Sequence, residues 1–235
     1  MSTAASYISL PVRFLAEDET ELNTVCIPPD AHTWEGFHRW LELGRLPEKM
    51  KTHFIRGIVY LDMSEEAIQS HVLVKAAIFG TLISLMRAED LGEFFPDGVL
   101  VRNKKAKVSN NPDGVAVFWA TTESGRVRFV KRKGREMILQ GTPDWVMEIV
   151  SDNSVTKDTK QLRLAYHRAG IREYWLIDAR GEEIKFQILS WRKAGYVPLS
   201  VEGGWHRSRV FAHEFQLVRR ENRRGAWDYM LEVKP

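Results

Sequence analysis

Large apolar residues fall at Trp34, Phe37, Trp40 and Leu41, the i, i+3, i+6, i+7 spacing of one helix face. Thr33 stands before them as an N-cap, and Gly44 followed by Pro47 ends the run. "HFIRGIVYLDMS" alternates instead, predicting two short strands around Arg56-Gly57. The longest helical pattern is "SEEAIQSHVLVKAAIFGTLISLMRAED", with Ser64 as N-cap and Glu65 and Glu66 as first-turn acids. From Leu91 the texture becomes β: "EFFPDGVLVRNKKAKVS", "NPDGVAVFWA" and "SGRVRFVKRKGR". The strand "DWVMEIV", a polar loop, a helix ending at Gly170 and the strand "REYWLIDAR" then make one crossover unit. The remainder reads as hairpins with Gly-containing turns, while residues 1–30 show no sustained period and read as a partly extended arm. The sum is an α/β protein.

Composition narrows the classes. At 235 residues, 44% of them hydrophobic and 28% charged, the chain can bury a sizeable core. A single cysteine, Cys26, leaves no disulfide framework and no thiolate zinc site, in keeping with a reducing cytoplasm. The first twenty residues lack the pattern of a signal peptide, and no uninterrupted apolar stretch is long enough to span a bilayer. Net charge is only +3, but the basic residues cluster in "RNKKAK" (Arg102 to Lys107) and "RVRFVKRKGR" (Arg126 to Arg135). Such clusters are either solvated hairpin faces or a phosphate-backbone footprint. "RRENRR" (Arg219 to Arg224) reads as a turn.

The chemistry centres on an acid where none is expected. Glu148 lies inside the apolar run Trp145 to Val150, where a carboxylate is costly unless paired, hydrogen-bonded or bound to a metal. Asp113 opens another apolar strand after Pro112, and two adjacent strands can aim such acids at one point. Hard oxygen ligands of this kind suit Mg²⁺ or Mn²⁺. Asp144 has the same strand parity as Glu148 but lies about 13 Å along the strand, which makes it the strand's polar start. Asp97, in a Pro-Asp-Gly turn, reads as a turn residue.

"NPDGVAVF…TPDWVMEIVSDNSVTKDTKQLRLAYHRAGIREYWLIDAR" resembles the PD-(D/E)XK nuclease superfamily. More narrowly it is similar to the bacterial Uma-two family of restriction-endonuclease-like proteins, over roughly Trp34 to Asp178. The resemblance implies a restriction-endonuclease-like core over residues 31–180, with a mixed β-sheet flanked by helices. The β-rich part, 181–235, then packs on that core. It also implies a metal-dependent endonuclease acting on DNA, with Asp113 and Glu148 as ligands of Mg²⁺ or Mn²⁺. The superfamily's lysine would fall on Val150, so this sequence departs from the pattern; Lys157 and Lys160, just beyond the strand, are the alternatives. Lys157 is favoured because a loop side chain can turn back toward the strand end. Lys160 points away from the apolar stripe Leu162, Ala165, Tyr166 and Ala169, and Asp158 reads as a cap of that helix. His71, on the long helix, matches a family histidine and would touch phosphate or metal. Many superfamily members act as dimers to cut both strands, so a homodimer is implied as well. The missing lysine at Val150 keeps one alternative open, a non-catalytic module on the same fold that binds nucleic acid or a protein.

Overall fold

The Trp145–Ile149 run is a strand with all five residues buried, inside a six-stranded sheet of the computed structural model. The structure describes residues 8–13, 22–43, 46–47, 50–132 and 134–235. Across this sheet the order is Gly195–Pro198, Lys185–Arg192, Glu173–Asp178, Trp145–Ile149, Gly114–Phe118 and Gly92–Pro96. Trp145–Ile149 runs parallel to Glu173–Asp178 and antiparallel to Gly114–Phe118, so the sheet is mixed. Parallel neighbours need a crossover. Here it is a wide-turned stretch, Lys157–Leu162, that continues as the helix Arg163–Ala169. Gly170, at φ 78°, ends that helix in the left-handed conformation a glycine adopts without strain.

Strand alternation sorts the neighbours of this sheet. Trp145, Met147 and Ile149 pack with Val74, Ile78, Leu82 and Met86 of the helix Ile68–Ala88. Val146 and Val150 face the other way, onto Leu162, Ala165 and Tyr166 and onto a second six-stranded sheet. That sheet has the order Ile58–Asp62, Lys51–Ile55, Val108–Asn110, Leu100–Asn103, Arg135–Gly141 and Val127–Arg132. Its first hairpin turns at Arg56-Gly57, with φ of 53° and 93°, the positive values that two-residue hairpin turns use to match strand twist. Ile68–Ala88 is long and apolar enough to cross a membrane by length and composition; in this fold its buried stripe lies on the central sheet.

The first helix, Trp34–Glu42, is capped as expected: the Thr33 hydroxyl accepts from the Gly36 N–H at 3.0 Å. Gly44, its expected stop, lies outside the described residues. Within residues 1–30, Ile8–Arg13 and Leu22–Ile27 form an antiparallel pair, and Val25 packs with Phe37, Trp40 and Phe54. Past residue 180, Lys185–Arg192 and Gly195–Pro198 continue the central sheet. Val201–Glu202, Trp205–Arg207, Glu214–Glu221 and Trp227–Lys234 form a four-stranded sheet. Its Phe215 and Leu231 join the cluster that holds Trp145 and Trp175. The "RRENRR" segment spans the end of Glu214–Glu221 and the turn after it.

The start of the long helix corrects one expectation. Ser64 is not its cap: the helix begins at Ile68 after an extended Ala67 that makes no side-chain cap. Ser64 instead gives both its N–H and its hydroxyl to Asp62 Oδ1, at 2.9 and 2.6 Å. A local side-chain acceptor that competes with the helix for these donors explains the delay.

Candidate active site

The antiparallel register pairs Trp145 with Ala116 and Met147 with Gly114. Asp113 comes directly before this paired stretch, and its Oδ2 accepts from the N–H of Ile149, the residue after Glu148. Gly114 permits this approach. A Cβ there would meet the Trp145 ring at 3.2 Å, a contact tight enough that the ring or the strand would have to shift by a few tenths of an ångström. The two acids border a cleft of about 340 Å³ that Lys51, His53, Glu66, His71, Lys157 and Asp158 also line.

Asp113 is 9% exposed and fully engaged. Its Oδ2 accepts from the Ile149 N–H at 2.7 Å and lies 3.5 Å from His71 Nε2; its Oδ1 lies 3.0 Å from Lys75 Nζ. Burial pushes this carboxyl up, but the His71 hydrogen bond, the charges of His71 and Lys75 and the Ile149 N–H outweigh it and hold the group well below the usual range. His71 uses both ring nitrogens, Nδ1 at 3.1 Å from Glu66 Oε2 and Nε2 at 3.1 Å from the Ile149 carbonyl. Glu66 is therefore no first-turn acid. The delayed helix start frees it to meet Lys75, Lys51 and His71. Asp97 does occupy a turn, at φ 50°, with Oδ1 accepting from Gly98 N–H, yet its Oδ2 also takes a Lys75 hydrogen bond at 2.8 Å.

Glu148, 3% exposed, lives in different surroundings. Its Oε1 accepts from the Tyr166 hydroxyl at 2.5 Å and from Asn110 Nδ2 at 2.9 Å. Burial pushes its pKa well up, the neighbouring Asp158 and Asp113 charges add to that, and Lys157 and the Tyr166 hydrogen bond only partly offset them. Asp158 is 1% exposed and does not cap the helix; it takes the Ser154 hydroxyl, and burial lifts it to about 6 against the pull of Lys157. Of the two lysines, Lys157 reaches the cleft: its side chain is 13% exposed and its Nζ is 3.5 Å from Asp158 Oδ1. Lys160 is exposed and does not line the cleft. Val150, at the superfamily's usual lysine position, is buried and gives its N–H to the Ile177 carbonyl.

Asp144 stays outside this group. It is fully buried at the strand's start and accepts from Phe118 N–H, Thr121 Oγ1 and Arg172. No described residue of either basic cluster lines the cleft; Lys104 pairs with Glu35 at 3.1 Å. Sequence reasoning missed Lys75 and Asp158 as members, although both carry a helical signal. Lys75 shares the phase of Ile78 and Leu82, and Asp158 precedes Leu162 by four residues on the apolar stripe. A charge on an apolar face marks a buried partner.

The donor set fits a hard divalent cation. Glu148 and Asp158 are buried acids raised by burial and by neighbouring negative charge, a shortage of positive charge that a cation would relieve. Asp158 Oδ1 and Asn110 Oδ1, both buried, lack hydrogen-bond partners. Glu66, His71 and Asp113 also offer donor atoms within 4.8 Å of one another.

The Uma2 family profile, described as "Putative restriction endonuclease", matches residues 34–219. Among solved structures, the chain is similar to "a putative nuclease belonging to DUF820 from Anabaena variabilis ATCC 29413". Identity is 17% and the TM-score 0.55, over 77% of this chain and 90% of that one, a likeness that shows the fold. The observed α/β architecture, with a mixed sheet, flanking helices and C-terminal antiparallel strands, is the class expected from the sequence. No curated protein matches the chain.

Proposed function

The chain belongs to the Uma2 family, and from that premise we propose that it is a metal-dependent endonuclease hydrolysing phosphodiester bonds in DNA, with Mg²⁺ or Mn²⁺ held by Asp113 and Glu148. The observation that carries this reading is the meeting of those two acids, on neighbouring strands, with the Lys157 ammonium in one cleft. A lysine arriving from beyond the strand answers the objection that Val150 raises, and so favours an enzyme over a binding module.

A bound divalent cation would neutralise charge on the phosphodiester and acidify a water. The chain's own residues do the rest. Burial alone would discharge Lys157, but Glu148, Asp158, Asp113 and Asp62 raise its pKa above the ordinary lysine value. It therefore stays an ammonium, a donor that orients the attacking water and meets negative charge on the phosphate, and does not act as the base. Tyr166 and Asn110 both donate to Glu148 Oε1, which fixes the carboxylate and leaves Oε2 for the cleft. Lys51, half-exposed at the cleft, is placed to meet a phosphate. A homodimer would supply a second cleft for the second strand.

The test is nicking of supercoiled DNA with Mg²⁺ or Mn²⁺, with EDTA, and with an Asp113→Ala, Glu148→Ala double variant. Cutting by the native chain alone, abolished by EDTA, is the expected result. Equal cutting by the double variant sinks the active-site assignment, and DNA retention without cutting favours the binding module.

A further inference from the structure

The cleft has two electrostatically different halves that share Asp113. On one side Glu66, Asp97 and Asp113 converge on Lys75, a side chain only 7% exposed. Its Nζ lies 2.8 Å from Glu66 Oε1, 2.8 Å from Asp97 Oδ2 and 3.0 Å from Asp113 Oδ1. An ammonium has three N–H groups and no acceptor; here its hydrogen bonds go to both oxygens of Glu66 and to Asp97 Oδ2, and Asp113 adds an ion pair. The cage is built by the fold: Asp97 is held at φ 50° and its N–H donates to the Asp113 carbonyl at 3.0 Å. Lys51 and His71 add positive partners to the same acids. On the other side, among the described residues, Lys157 is the cation that pulls on the buried Glu148 and Asp158.

Nucleases and phosphatases with two metal ions hold them about 3.5–4 Å apart around the reacting phosphate. Lys75 Nζ lies against Glu66 Oε1 and Asp113 Oδ1, carboxylate oxygens of the Glu66, His71 and Asp113 group that could otherwise hold a second ion. We propose that the Lys75 ammonium is a built-in cation filling the second position of the centre, so that the cleft accepts one divalent ion and not two. The inference rests on reading the cleft as a metal centre. It makes Lys75 a positioning residue, acting through Asp113 and Glu66.

Counting bound ions tests it without reference to cleavage. Mn²⁺ titration by calorimetry, with electron paramagnetic resonance on the loaded protein, should give one ion for the native chain and for Lys75→Arg. It should give two, with spin coupling between them, for Lys75→Met. Lys75→Gln, which keeps amide hydrogen bonds to the acids, repeats the neutral substitution if the methionine variant fails to fold by circular dichroism. Two ions in the native protein, or one in a folded neutral variant, overturns the inference and leaves the nuclease reading standing. No ion in the native protein overturns the metal centre itself. If neither neutral variant folds, the native count decides between one and two.

Discussion

Replacing Lys157 with methionine removes the ammonium that faces Glu148 and Asp158, acids that are 3% and 1% exposed. Breaking a buried pair by deleting one partner costs about 3–5 kcal/mol. The 3.5 Å separation from Asp158 is longer than a direct hydrogen bond, and Asp158, at about 6, can take up a proton instead. The expected loss therefore falls at or below the bottom of that range, about 2–3 kcal/mol near neutral pH. In a chain of this size that is a fall in Tm of roughly 5–10 °C. The pH dependence has a definite sign. Asp158 is raised in the folded state above its ordinary 3.8, so its ionisation opposes folding as pH rises through that window and ceases to matter below it. The deficit of Lys157→Met should accordingly shrink from pH 8 to pH 5 in urea denaturation. DNA nicking should fall by about 100-fold or more, the usual result of deleting a transition-state donor. Lys160→Met is the control: an exposed side chain away from the cleft should change stability by no more than about 0.5 kcal/mol and leave nicking intact. A larger effect from Lys160→Met than from Lys157→Met, or a Lys157→Met deficit that grows at pH 5, refutes the assignment.

Other residues carry further expectations. Tyr166→Phe deletes the hydroxyl that Glu148 accepts at 2.5 Å, so stability should drop by about 2 kcal/mol, read as a lower urea midpoint; an unchanged midpoint contradicts the hydrogen bond. Burial lowers His38 and His53 from 6.5 to about 4 and about 3. Their contribution to stability is whole above pH 6.5 and is lost as pH falls from there through those lower values, on the order of 4–5 kcal/mol for His53 and about half that for the less enclosed His38. Nuclear magnetic resonance should find both rings neutral at pH 5, and a midpoint near 6.5 for either would show it is not buried. Glu173 takes hydrogen bonds from Trp175 Nε1, Ser208 Oγ and the Arg209 N–H, at 2.7, 2.6 and 2.9 Å. Glu173→Gln sets an amide donor against those donors and should cost about 1–3 kcal/mol in thermal unfolding, with nicking unaffected in the folded protein.

Much of this was legible in the chain because strand and helix periods report burial. The run Trp145–Ile149 announced itself as a doubly buried strand, and Glu148 within it as an acid needing partners. Thr33, Arg56-Gly57 and Gly170 marked their turns and caps through conformational preferences that act locally. Ser64 misled because its competitor, Asp62, lies two residues back in a strand and takes the same donors. Glu66 looked like an ordinary first-turn acid for the same reason. Lys157 was expected in the loop before the helix, but it opens the wide-turned helical stretch Lys157–Leu162; the choice between it and Lys160 depended on that wide turn, which a 3.6-residue period does not encode. Asp97 carried two roles at once, turn residue and Lys75 acceptor, and a turn motif discloses only the first. Partners such as Asn110 come from a different sheet, so no local spacing connects them with Glu148.

Anomalous diffraction from crystals soaked in Mn²⁺ addresses the Asp113–Glu148 centre without any assay. The expected map has one strong peak in the cleft, with oxygens of both Asp113 and Glu148 within about 2.0–2.6 Å, the range of hard-cation bonds. An empty cleft, or a peak held by residues that exclude both acids, would contradict it.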